Sequence, residues 1–224
     1  MIEIPTERTT AGTDLLLAIV ALGCVWLVLR CRSHDLWKAK LWASAFAMLF
    51  LASGLGSVAH GLHMPAETKR LLWHPLNLAL GLMVALIVVG AIRDGWGERL
   101  SRRILPGMLA VGFSFFGVTV VSANTFRAFV VYEMLALFLV VGIYSLSAVR
   151  ERTSGSILMT AGALLTIAAA AIQATLTCNV HCVWTFDHNG IFHLVQLVAV
   201  VCLVTGVTAE MRPRPESAEV DYRS

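Results

Sequence analysis

Charged side chains are scarce in this chain: they make up 14% of 224 residues, against 58% hydrophobic. A soluble domain carries roughly 25% charged residues, so a water-facing globule is excluded. No basic stretch opens the chain. Met1–Thr13 is polar and carries Glu3 and Glu7, whereas a secretory signal needs a positive start. A Walker motif, a GxSxG elbow and an HExxH pair are all missing, which removes the usual signatures of phosphate binding, serine hydrolysis and soluble zinc proteolysis. The seventh apolar run lacks a lysine, which excludes a retinal Schiff base of the rhodopsin type. There is no tandem repeat, and no basic patch that would bind nucleic acid.

What is present is a series of apolar runs. A helix needs about 20 mostly apolar residues to cross a bilayer, because lipid satisfies none of its backbone groups. Seven runs qualify, over 12–30, 39–61, 73–92, 104–123, 128–149, 156–177 and 189–209. The expected fold is an all-α membrane protein, a seven-transmembrane-helix bundle occupying 1–211, with a disordered cytoplasmic tail at 212–224. Pro75 and Pro106 read as first-turn prolines of spans 3 and 4. Asp94, Gly95 and Gly97 read as a turn.

The few cations set an expected topology. Of the 17 Lys and Arg, 13 fall in the connections after spans 1, 3 and 5 or in the C-terminal tail. The other side holds Arg8, Lys69, Arg70 and Arg127. The positive-inside rule then gives N-outside and C-inside. The net charge of +3 is thereby a topology signal. The Ala, Val and Leu content and short loops suit a bacterial inner membrane. Cys178 and Cys182 fall on the outer side around His181, where an oxidising compartment would permit a disulfide; a small metal site and free thiols are the other readings.

On this topology six of the seven histidines reach the outer end: His60, His63, His74, His181, His188 and His193. Glu133 and Asp187 fall there too. Such groups are costly in or near hydrocarbon and need a compensating partner. Neutral imidazole is a good zinc ligand, so a bound metal satisfies the cluster most economically. His60 and His63 share a face of span 2, three residues apart, with Ser57 three before His60. His74 and Asn77 have the same spacing in span 3. Asn189, His193 and Gln196 share a face of span 7. Asp187 or Thr185 is placed to cap that helix, which leaves His188 in its first turn. Taken singly, each residue has a plainer reading: an interfacial His is a hydrogen-bonded boundary residue, Glu133 a partner of Arg127, and Asp187 a helix cap.

The pattern resembles the CREST superfamily of seven-helix membrane metallohydrolases, which includes the alkaline ceramidases and the adiponectin-receptor-like progestin receptors. Gly54-Leu-Gly-Ser57-Val-Ala-His60 is similar to the Gly-x-Gly-Ser-x-x-x-His of the ceramidases, one residue shorter. His193 in Gly190-Ile-Phe-His193 is similar to the second His of the family's seventh-helix motif. The chain departs from the family at other positions. Asn189 stands four before His193, and His74 stands where the family has an Asp. The resemblance implies zinc, held by histidines of the second and seventh helices, and hydrolysis of a lipid amide or ester through a metal-activated water.

The expected site therefore has His60 and His193 on zinc with His188 or His74, and His63 in an alternative register. Asp187 or Glu133 serves as base, and Ser57 and Asn189 stabilise the oxyanion. The substrate is a membrane lipid. Two rivals remain: an ion- or proton-linked transporter or receptor, and a b-type haem electron-transfer protein. The apolar inner halves of the spans argue against a transport path.

Overall fold

The structure, a computed structural model, describes residues 2–121 and 125–212, apart from the side chains of residues 125 and 126. The tail from 213 onward, expected to be disordered, lies outside the described residues. Among the described residues, seven helices are long and apolar enough to cross a membrane. They are α1 (Pro5–Arg30), α2 (Leu36–Gly61), α3 (Ala66–Trp96), α4 (Glu98–Val121), α5 (Thr125–Glu151), α6 (Ser154–Thr175) and α7 (His188–Met211). A short hairpin, β1 (Val180–His181) paired antiparallel with β2 (Thr185–Phe186), lies between α6 and α7. The chain has an all-α architecture.

Local chemistry sets where these helices begin. Pro5 opens α1, where its missing N–H costs nothing. Asp35 caps α2 by accepting from the Lys38 N–H at 2.8 Å. Thr153 caps α6 through the Ser156 N–H, and Asp187 caps α7 through the Gly190 N–H at 2.9 Å. Gly97 turns the chain between α3 and α4 at φ 92°, a conformation that favours glycine.

Two expectations about punctuation are corrected. Pro75 and Pro106 lie inside α3 and α4 rather than in their first turns. The helices start earlier than the apolar runs because their first turns are polar but still helical. The polar extension matters most in α1, where residues 5–11 add nearly two turns carrying Glu7, Thr9 and Thr10.

Helix contacts close a ring. α1 packs on α2, α2 on α3, α3 on α5, α5 on α6, α6 on α7, and α7 back on α1. α4 lies outside this ring against α3 and α5, and is the least buried of the seven. Small residues permit the closest approaches. A Cβ on Gly81 of α3 would stand 2.8 Å from the Gly112 carbonyl oxygen of α4. A Cβ on Gly162 of α6 would stand 2.7 Å from Leu203 Cγ of α7. Trp42, Tyr144, Leu17, Met159 and Val200 fill the ring's core.

The end of the bundle opposite the histidines is not wholly apolar. Lys38 is buried there and pairs with Asp94 at 2.9 Å. Arg93 pairs with both Asp35 and Asp94, and Tyr144 donates to Asp94 at 2.8 Å. Lys38 reads in sequence as a boundary cation, but it sits inside a paired network that ties α2, α3 and α5 together. A buried charge is tolerated only when paired in this way.

Candidate functional site

The ring encloses a cavity of about 470 Å³ at the histidine-bearing end. Its polar wall comes from six helices: Asp14 of α1, His60 of α2, Asn77 of α3, Glu133 of α5, Gln173 of α6 and, on α7, His188, Asn189, His193 and Gln196. Leu17, Leu49, Leu76, Leu80, Met83, Phe129 and Phe192 supply the apolar wall. No residue of α4 lines it.

Asp14 is the residue that sequence reasoning missed. Its carboxylate is buried, and Oδ1 lies 3.2 Å from His193 Nε2. The signal was available: Asp14 is a lone acid directly before Leu-Leu-Leu-Ala-Ile-Val, the same anomaly that singles out Glu133. Gly56 makes room for Asp14. A Cβ at that position would lie 2.7 Å from Asp14 Oδ2, so α2 must present glycine where α1 brings in its acid.

Both ring nitrogens of His193 have a polar neighbour. Thr13 Oγ1 lies 3.0 Å from Nδ1 and also 3.0 Å from the Thr9 and Thr10 carbonyl oxygens. With its hydrogen on a carbonyl it accepts from Nδ1, and the Nε2 lone pair then faces Asp14; with its hydrogen turned to the ring it donates, and Nε2–H faces the Asp14 carboxylate. The first arrangement leaves two lone pairs 3.2 Å apart, which need a proton or a metal ion between them. His60 repeats the arrangement. Its Nδ1 lies 2.8 Å from Glu7 Oε2, a carboxylate oxygen that can only accept. In the neutral ring Nε2 is then the lone-pair nitrogen, and the ring makes an edge-to-face contact with Trp73.

These features suit a metal. A His that binds one commonly donates its other N–H to a carboxylate or hydroxyl, which fixes ring and tautomer. Two tetrahedral zinc ligands, each roughly 2.0–2.1 Å from the ion, stand about 3.3 Å apart. The Asp14–His193 separation of 3.2 Å matches that spacing. The donor set is incomplete at this point: among the described residues no three His, Cys, Asp or Glu side chains stand together at metal-binding separation.

The other expected site residues divide clearly. His188 and Asn189 line the cavity, and Asn189 accepts from Gln173 Nε2 at 2.9 Å. Glu133 also lines it, buried, with Oε2 unpartnered. Ser57 is not on the wall; its hydroxyl donates to the Ala11 carbonyl at 2.9 Å and staples α2 to α1. Asp187 is the cap of α7 and also accepts from Thr10 Oγ1 at 2.9 Å. His74 lies edge-on to Phe116, away from the cavity wall, and His63 is exposed beyond the end of α2. His181 is exposed in the hairpin and pairs with Thr185. All five cysteines, including Cys178 and Cys182, are free thiols.

Fold and cavity together define a seven-helix bundle of membrane type that holds a polar chamber within a six-helix ring. The chain belongs to the DUF6962 family, a family of unknown function, which matches residues 9–212. No curated protein and no solved structure matches it.

Proposed function

We propose that the chain is an integral-membrane, zinc-dependent hydrolase of a lipid amide or ester. Asp14, His60 and His193 would hold the metal, with the chamber near the outer face of a bacterial inner membrane. The observation that carries this reading is the pair of histidines whose Nδ1 atoms are held by Glu7 and Thr13, leaving Nε2 as the nitrogen a metal would take. Such pairing is the outer-shell chemistry of metal-bound imidazole. It supports a ligand set in which Asp14 stands in place of His74, with His60 on the chamber wall as the third candidate.

Zinc, when bound, acts as a Lewis acid and makes water a nucleophile at neutral pH. The chain's own residues do the rest. Glu7 and Thr13 orient the two imidazoles. Asp14 Oδ2, lodged against Gly56, remains to accept a proton from the attacking water. The side-chain amide of Asn189 lines the chamber with its oxygen held by Gln173, so its N–H₂ would be the donor for a carbonyl oxygen there. Ser57 and Asp187 are committed to structural bonds and serve neither purpose. Leu17, Leu76, Leu80 and Phe129 exclude water and provide an apolar wall for an acyl chain.

The test is hydrolysis of a fluorogenic long-chain amide and its matching ester by purified protein in lipid nanodiscs. Turnover should vanish with chelator, return with zinc, and fall at least a hundredfold in Asp14→Ala. Turnover that survives both treatments would sink the hydrolase reading.

A further inference from the structure

The deep end of the chamber holds two acceptors that the proposed chemistry does not use. Glu133 Oε2 and Gln196 Oε1 are buried and take no hydrogen bond from the protein. Both residues line the chamber, and both also line a small apolar recess of about 40 Å³ that continues inward past Met83 and Leu203. Gln196 lies three residues after His193 on α7, one turn deeper on the same face.

The orientation of Gln196 follows from its neighbour. Thr166 Oγ1 gives its hydrogen to the Gly162 carbonyl at 3.0 Å and so can only accept from Gln196 Nε2, at 3.3 Å. This holds the amide with its N–H₂ toward α6 and its oxygen unpartnered. Glu133 is a carboxyl inside an apolar bundle whose Oε2 has no donor facing it. A group there demands compensation. An orphaned buried acceptor costs about 1–3 kcal/mol in proteins generally, so two of them at the junction of two cavities imply a donor that arrives from outside.

We propose that Glu133 and Gln196 form a subsite for the primary ammonium group of an amphiphile. Two facing acceptors next to a carboxylate favour a cation with at least two N–H groups. A hydroxyl has one hydrogen and leaves one acceptor bare. A quaternary ammonium has none to give. A primary ammonium has three, satisfies both oxygens and neutralises the carboxylate. The recess beyond takes hydrocarbon. The inference rests on reading the chamber as a substrate site. It adds that the substrate or product carries a primary amine within about one helical turn of the group that is cleaved.

Binding is read without metal or turnover, by thermal unfolding of the full-length protein in detergent during titration with octylamine, octanol or octyltrimethylammonium. Octylamine should raise the unfolding midpoint saturably, and the other two should not. Glu133→Gln, an uncharged isostere that keeps the fold, should weaken the octylamine response at least tenfold, and Gln196→Leu should weaken it as well. An equal response to octanol, or an unchanged one in Glu133→Gln, overturns the subsite. A matching shift produced by potassium or sodium chloride overturns it in favour of an inorganic cation, and no shift at all assigns the two acceptors to bridging water. Octylamine bound by metal-free protein supports the subsite and leaves the zinc reading to be tested by metal uptake and turnover, so the two ideas fail separately.

Discussion

Thr13 is the most exposing residue to alter, because the proposed site needs it to accept from His193 Nδ1 so that Nε2 is free for a metal. Thr13→Val keeps the shape and removes the acceptor of the 3.0 Å bond from His193 Nδ1. His193 is only 7% exposed, so that N–H cannot turn to water. Leaving a buried donor unsatisfied costs about 1–3 kcal/mol. The ring can avoid the cost by moving its proton to Nε2, where Asp14 Oδ1 accepts it at 3.2 Å. That shift removes the lone pair a metal needs. At 1.4 kcal/mol per tenfold, the loss in zinc affinity should be roughly 5- to 150-fold, in line with the 10- to 100-fold typical of outer-shell partners. Competition with a fluorescent zinc chelator measures it directly. Thr13→Ser restores the hydroxyl and should restore the affinity. Equal zinc affinity in Thr13→Val and wild type would refute the tautomer argument and, with it, the role given to Nε2.

Two further outcomes follow from other parts of the fold. Gly56→Ala places a methyl 2.7 Å from Asp14 Oδ2, where ordinary contact begins at 3.4 Å. The carboxylate must withdraw, so metal affinity should fall by tenfold or more, with a thermal loss in the range of about 1–3 kcal/mol for overpacking; unchanged metal affinity would mean that Asp14 is no ligand. At the opposite end, Asp94→Ala strands the buried Lys38 ammonium and should destabilise by about 3–5 kcal/mol. Adding Lys38→Met should recover most of that loss, and failure to recover would show that Lys38 is stabilised by something other than Asp94.

The helix count and the gathering of polar groups at one end were readable from apolar length and from the depth of each histidine. His60, His188, His193, Asn189 and Glu133 were found this way and share one chamber. The remainder depended on facts that spacing does not carry. Glu7 lies in the polar first turns of α1, ahead of the apolar run that starts at 12, and Asp14 lies inside that run with nothing in its spacing to show that it meets His193. Ser57 shares a face with His60, but its hydroxyl is consumed by the Ala11 carbonyl across the α1–α2 contact. His74 sits at the right depth, yet α3 turns it toward α4, outside the ring. Which helix stands outside a seven-membered bundle is a packing outcome, and it decides which histidines can meet.

The central claim is that Asp14, His60 and His193 form one metal site. Elemental mass spectrometry on detergent-purified protein tests it most directly, with Asp14→Ala, His60→Ala and His193→Ala measured beside His63→Ala and His74→Ala. The account predicts a single zinc ion per chain in the wild type, lost in the first three variants and kept in the last two. Well-folded wild-type protein without metal, or zinc that persists in Asp14→Ala and departs in His74→Ala, would contradict it.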